Sequence, residues 1–140
     1  MRRAAEAPAE KRDSAVQRQA DKFVAFWHKT GIVHFREEEE VLLPAYARYA
    51  RLDQDAAIMR LLADHAEIRA AVQDFEQRRT KKLPIEAEAM ARLAKLLHDH
   101  VRFEEDDVFP RIERVLGEEN LDAVGRELTR LHSKNDVCDI

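Results

Sequence analysis

The sequence predicts an all-α bundle folded as one domain. Only three glycines and four prolines occur in 140 residues, and the content of good helix formers is high. Apolar residues recur every three or four positions over long segments, and no strand-like alternation competes with that pattern. We expect a single domain over residues 1–140, with its core in 1–117 and a C-terminal helix and tail in 118–140.

The first two helices are predicted from caps and prolines. Residues 1–7 are expected to be helical, and Pro8 ends or interrupts that helix. The next helix begins near Asp13, which is a good N-cap residue, and its apolar periodicity continues to Leu42. Pro44 should kink or end it because proline lacks a backbone N–H.

Two more long helices and a short one follow. A third helix is expected after Asp53, with its apolar positions spread over 58–75. A polar connection then leads to Pro84, which is placed to start the fourth helix. That helix should end at Gly117, a good C-cap residue, and a short amphipathic helix over about 121–131 should cover the bundle.

Composition argues against several classes of protein. The net charge of −4 and the lack of a basic stripe argue against nucleic-acid binding. No apolar run approaches the roughly 20 residues of a membrane span, and no signal-peptide core follows Met1. Cys138 is the single cysteine, so an intramolecular disulfide is excluded and a reducing cytoplasm is the expected location.

One motif occurs twice, 66 residues apart. Each copy has a histidine, a glutamate four residues later and a proline ten residues after the histidine. Residues four apart on a helix lie about 40° apart on one face, where an imidazole and a carboxylate can bind one ion. Two such pairs facing each other in a bundle make a carboxylate-bridged dimetal site plausible. The pairs are His34 with Glu38 and His100 with Glu104.

The same offset predicts a missing ligand. It aligns residues 69–71 (Arg-Ala-Ala) with the identical tripeptide at 3–5, and it places the counterpart of His65 just before Met1. We therefore expect two helix pairs related by a pseudo-twofold axis, with the first helix clipped where its histidine would be. The start of the chain would then lie inside that helix. The groove left open would need a partner or a second copy of the chain to cover it.

Each candidate also has a simpler interpretation. His34 with Glu38 could be an exposed ion pair worth a few tenths of a kcal/mol, and His65 could be a satisfied core histidine. The apolar residues around both pairs favour ligands instead. The neighbouring acids are expected to be mostly a solvated face, although Glu37 could support the site. Arg69 could bind a ligand carboxylate or water, or form a surface ion pair. The acids in question are Glu37, Glu39, Glu40, Glu105, Asp106 and Asp107.

These residues resemble the hemerythrin-like (HHE cation-binding) family. The resemblance is carried by HFREEEEVLLP (34–44), LLADHAEIR (61–69) and HDHVRFEEDDVFP (98–110). It implies a hemerythrin-like up-and-down four-helix bundle, here with a truncated first helix and a short C-terminal helix. It also implies a non-haem, usually di-iron centre, open to dioxygen or a related small ligand. The ligands implied are His34, Glu38, His65, His100 and Glu104.

Iron is favoured by the resemblance alone, because imidazole and carboxylate ligands also suit zinc and manganese. A departure from oxygen-carrying hemerythrins is Arg69, which stands where those proteins have a further histidine.

Three functions follow. The first is a domain that binds iron and senses, stores or scavenges oxygen, nitric oxide or the metal itself. The second is an enzyme in which the same centre acts on peroxide or oxygen. It ranks lower because no general acid stands out beyond the ligands. The third is a metal-free, degenerate bundle that serves as an interaction module.

Overall fold

The computed structural model describes residues 9–138, with side chains described for residue 11 and for 13–132. The described part is all-α and contains no strand, which confirms the predicted fold class. The predicted helix over 1–7 lies outside the described residues.

A first continuous rod consists of α1 (Ala9–Phe26), π1 (Trp27–Gly31), α2 (Ile32–Glu37), π2 (Glu38–Leu42) and α3 (Leu43–Tyr46). A 3-10 turn (Leu52–Gln54), α4 (Ala56–Thr80), α5 (Ala87–Phe103), π3 (Glu104–Val108) and α6 (Phe109–Cys138) follow.

The first rod differs from its prediction at both ends. Helix α1 already includes Ala9, so Asp13 lies inside it and the predicted cap is wrong. At the other end the helix passes through Pro44 and ends at Tyr46. The rod tolerates this proline because π2 precedes it, with the Leu43 N–H donating five residues back to the Glu38 carbonyl.

The repeated motif is also repeated in the backbone. Segment π2 begins at Glu38, and π3 begins at Glu104, the equivalent residue of the second copy. In π3 the Phe109 N–H donates to the Glu104 carbonyl, as Leu43 does to Glu38 in π2. A π segment inside an α-helix is rare, and the ones that occur are frequently found at functional sites. Both predicted glutamate ligands therefore stand at the start of the same distortion.

The starts of α4 and α5 are set differently. Asp55 caps α4 by accepting hydrogen bonds from the N–H groups of Ala57 (3.1 Å) and Ile58 (3.3 Å). The Tyr46 hydroxyl also donates to Asp55 (2.7 Å), which ties the first rod to this cap. Helix α5 begins at Ala87 and Pro84 lies in the preceding linker, so the predicted role of Pro84 is wrong.

Gly117 interrupts α6 as its predicted C-cap role requires. Its φ of 72° lies in the left-handed region that favours glycine. The chain then turns back, so that His132 contacts Glu37 of the first rod. The predicted covering helix is present and is longer than expected, because α6 extends to Cys138.

The core has two apolar clusters. One is built around Trp27, Phe35 and Phe75, and the other around Ile58 and Ile112. Helix α4 contributes to both, with Leu61 in the second cluster and Ile68 in the first. His65 lies between these two positions on the same buried face and is 1% exposed. The candidate site is therefore set between the clusters.

Candidate metal centre

Four ionisable side chains are buried together in this part of the bundle. One ligand atom from each lies within 4.8 Å of the others, and all four residues are buried. They come from the first rod, from α4 and from the α5–π3 junction. Buried charges of this kind are costly unless they are paired or coordinate a metal. The four are Glu38, His65, His100 and Glu104.

Imidazoles and carboxylates alternate across the centre. His65 Nε2 lies 2.9 Å from Glu38 Oε2, and His34 Nε2 lies 2.7 Å from Glu38 Oε1. His34 Nε2 is also 3.5 Å from Glu104 Oε2, and His100 Nε2 contacts Glu104 Oε1. The structure thus brings all five predicted ligands together. His34 lies at the edge, with 47% of its side chain exposed.

The outer ring nitrogens of the two buried histidines face carboxylates. His65 Nδ1 lies 2.6 Å from Glu39 Oε2, and His100 Nδ1 lies 2.9 Å from Asp64 Oδ2. A carboxylate accepts hydrogen bonds, so Nδ1 carries the proton in both rings. With Nδ1 turned outward, each ring presents its Nε2 to the centre, and this is the nitrogen with which it could bind a metal ion.

The inward-facing atoms lack hydrogen-bond partners. Within the described part of the chain, five buried side-chain atoms at the centre make no hydrogen bond. Each such atom costs about 1–3 kcal/mol if it stays unsatisfied. A nitrogen lone pair facing a carboxylate oxygen needs a proton or a cation between them, so these residues fit a bound metal ion. The atoms are Glu38 Oε1 and Oε2, His65 Nε2, His100 Nε2 and Glu104 Oε1.

The close contacts between histidines and carboxylates at the centre also shift the pKa values of these side chains. Close contacts with Glu104 and Glu38 raise the pKa of the His34 imidazole to about 10. Burial would lower the pKa of His100, but its contacts with Glu104 and Asp64 outweigh burial and raise it. Burial would likewise raise the pKa of Glu104, yet the neighbouring histidines hold it well below its usual range. The carboxylates therefore attract positive charge, as protons or as metal ions.

An aromatic ring and an arginine hold His65 in place. The Phe35 ring stacks on the His65 ring with centroids 3.7 Å apart and planes within 9°. Arg69 lies over the same Phe35 ring and donates two 2.9 Å hydrogen bonds to Glu39, the carboxylate behind His65. Burial would raise the pKa of Glu39, but Arg69 and His65 together lower it.

The prediction for Glu39 is therefore wrong, because this residue is half-buried and contacts His65 instead of facing solvent. No pattern in the sequence predicted a role for Asp64, which contacts His100. Both contacts join different helices, and no spacing in the sequence marks them. Glu37 pairs with His132, which lies just beyond the predicted covering helix. The sequence therefore predicted which residues meet at the centre and missed Glu39 and Asp64, which contact the two buried histidines from outside.

The profile of the hemerythrin HHE cation-binding domain matches residues 1–134. The chain belongs to this family. No curated protein and no solved structure matches it significantly. The hemerythrin domain described here is accordingly a cation-binding domain, and its buried Glu-His-His-Glu cluster is the candidate metal centre. Among the described helices, none is both long and apolar enough to span a membrane.

A cavity of about 310 Å³ adjoins the exposed edge of this centre. His34 and Glu38 line it on the first rod, and the part of α6 beyond Gly117 forms the opposite wall. Its lining is mostly apolar, and the apolar residues are Leu42, Phe109, Ile112, Leu121, Val124 and Leu128. The centre can therefore be approached from a largely apolar space.

Proposed function

We propose that this hemerythrin domain binds two non-haem iron ions and uses them to bind or sense a small diatomic molecule, such as dioxygen or nitric oxide. The observation that carries the proposal is the set of buried ligand atoms that lack hydrogen-bond partners. Membership of the family supports iron over zinc and manganese, which the same donor types also suit. The proposed ligands are His34, Glu38, His65, His100 and Glu104.

Two ions are favoured by the way the carboxylates are shared. Glu38 turns one oxygen toward His34 and the other toward His65. Glu104 likewise turns one oxygen toward His100 and the other toward His34. A carboxylate that faces two nitrogen donors through separate oxygens is suited to bridge two ions.

The cavity supports a small, uncharged ligand. Its walls are mostly apolar, so a diatomic gas enters it more readily than an ion does. When iron is bound, it would supply an open coordination position and the electrons to hold such a ligand. The chain would contribute the half-exposed His34 at the mouth and the buried histidines that keep water from the inner side.

Location and assembly are further parts of the proposal. The single cysteine supports a reducing compartment such as the cytoplasm. Phe26 on α1 and Val101 on α5 are 53% and 50% exposed, and a partner or a second copy of the chain would cover such apolar side chains. Sedimentation of the purified chain tests the second copy: a monomer at all concentrations would rule out the homodimer.

Elemental analysis of iron-loaded protein tests the function. We expect nearly two irons per chain after anaerobic loading, and a visible absorption change when nitric oxide is added. The double variant Glu38→Gln, Glu104→Gln keeps the side-chain shapes and should lose the iron while it stays helical by circular dichroism. Folded wild-type protein that takes up no iron contradicts the proposal. Uptake of zinc or manganese in preference to iron contradicts only the choice of metal.

A further inference from the structure

The cavity beside His34 is larger than a diatomic ligand needs. Its volume is about 310 Å³, whereas a molecule the size of water takes up about 30 Å³ in a liquid. An apolar cavity of about 150 Å³ is enough to hold benzene, so this one has room for an organic molecule of about two or three rings. An α-helix with its side chains is about 10 Å across, so the same space holds less than one helical turn of another chain.

One wall of this cavity contains a gap in an apolar stripe. Leu121, Val124 and Leu128 follow one another at helical spacing, so they lie on one face of α6, and all three line the cavity. Gly125 lies on the same face and lines the cavity as well. Nothing lies within 4 Å of a Cβ added at Gly125. An apolar side chain there would continue the stripe, so glycine keeps this space open at a cost in helix propensity.

The charged residues of the lining favour an uncharged occupant. They are Glu37, Glu38 and Glu113, and none of the lining residues that the structure describes is a lysine or an arginine. An anion would therefore meet acidic side chains without a basic partner. Glu37 and Glu38 each already contact a histidine, and Glu113 is exposed to water, so a cation gains little there. Water finds few polar partners among the apolar walls, and its displacement by an apolar molecule is favourable.

We propose that this cavity is a second ligand site, which binds one uncharged, largely apolar organic molecule between the first rod and the part of α6 beyond Gly117. The inference goes beyond the proposed function, because this binding requires no metal ion. A bound molecule would lie against the His34 side of the centre. Gly125 sets the size of the molecule that the site accepts.

The test is a fluorescence titration of the purified full chain with anilinonaphthalene, an uncharged dye whose emission rises in apolar surroundings. We expect one dye molecule to bind per chain. Anilinonaphthalene sulfonate adds a negative charge to the same ring skeleton, so it should bind at least about tenfold more weakly. Failure of the uncharged dye to bind overturns the proposal, and so does equal binding of the two dyes.

Substitutions on α6 locate the bound dye. Gly125→Leu places an apolar side chain in the gap and should weaken binding at least about tenfold, while Gly125→Ala fills less space and should weaken it less. Leucine is a better helix former than glycine, so the first variant should fold, which circular dichroism checks. Ala123→Leu is the matched control, because Ala123 is exposed on the same helix and lines a neighbouring cavity instead. It should bind the dye like wild type.

The remaining outcomes separate this inference from its alternatives. Unchanged dye binding in Gly125→Leu overturns the assignment to this cavity. A wild-type dimer that becomes a monomer in Gly125→Leu, as measured by sedimentation, would show that a second copy of the chain fills the space, which overturns the proposal too. Iron uptake is measured on the same preparations. A chain that binds iron and no dye contradicts this inference alone, and a chain that binds dye and no iron contradicts only the proposed function.

Discussion

His34 and His100 hold equivalent positions in the two copies of the motif, yet 47% of the His34 side chain is exposed and only 3% of that of His100. Both histidines contact a buried glutamate four residues later. They differ in their neighbours, because α4 places Asp64 behind His100, while His34 lines a cavity. The motif thus sets which side chains meet at the centre, and the adjacent helix decides which of the two histidines is buried and which faces solvent.

Replacing the buried histidine should have the largest effect. His100→Ala leaves the half-buried Asp64 without its partner and the buried Glu104 with His34 alone, so we expect a loss of about 3–5 kcal/mol in the free energy of unfolding. Iron binding should be lost as well. Urea denaturation of metal-free protein measures the first effect. His98→Ala, at an exposed site two residues earlier, serves as control and should change little. A loss below about 1 kcal/mol for His100→Ala would show that these carboxylates do not depend on it.

Gly31 offers a way to disturb the first copy alone. A Cβ on Gly31 would lie 2.6 Å from Trp27 Cε3, and the Trp27 ring packs edge-on against Phe35, which supports His65. Gly31→Ala should therefore cost about 1–3 kcal/mol of unfolding free energy through overpacking. In the second copy the equivalent position holds Leu97, so no such contact is repeated.

Gly125→Ala is the control for that prediction, because nothing lies within 4 Å of the added Cβ. Alanine favours helices over glycine, so this variant should be neutral or more stable by up to about 1 kcal/mol. Thermal unfolding of both variants gives the comparison. Equal stability of the two would mean that the Trp27 ring shifts freely and does not brace the site.

Replacing the exposed histidine should affect binding more than stability. His34→Ala removes a ligand at the edge of the centre, so iron affinity should fall by at least about tenfold. The free energy of unfolding of the metal-free chain should fall by less than it does for His100→Ala, because His34 is half exposed and water screens its contacts with the two glutamates. Competition with a chelator measures the affinity. Unchanged iron affinity would remove His34 from the ligand set.

Metal binding should depend on pH because the ion has to displace a proton from His34. The pKa of His34 is raised to about 10, so this imidazole is protonated in the metal-free chain at neutral pH. An ion must displace that proton, and the apparent affinity should therefore rise with pH by about tenfold per unit for each proton released. Zinc titrations between about pH 6 and 8 measure the slope. His34→Ala should lower it by one proton, and a slope that does not change argues against direct binding by His34.

The residues of the centre were predictable because helical geometry converts spacing into position. His34 with Glu38 and His100 with Glu104 are four apart, and each pair lies on one face of its helix as expected. The full burial of Glu38 and Glu104 agrees with the apolar residues around them. The all-α fold followed from the same periodicity.

Helical spacing did not predict the roles of Glu39 and Asp64. Glu39 directly follows Glu38, and on a regular helix its side chain would point about 100° away from that of Glu38. The π segments change the local turn, and a 3.6-residue period does not reveal them. The contacts of Glu39 with His65 and of Asp64 with His100 join helices distant in the sequence. Their recognition requires the packing of α4 against its neighbours.

Anomalous diffraction at the iron absorption edge, on crystals of iron-loaded chain, would locate the bound metal ions. We expect two peaks enclosed by Glu38, His65, His100 and Glu104, with His34 bound at the outer edge. We also expect Nδ1 of His65 and of His100 to remain hydrogen-bonded to Glu39 and Asp64. A well-ordered cluster without any peak, or iron bound only elsewhere on the chain, would contradict the proposed metal centre.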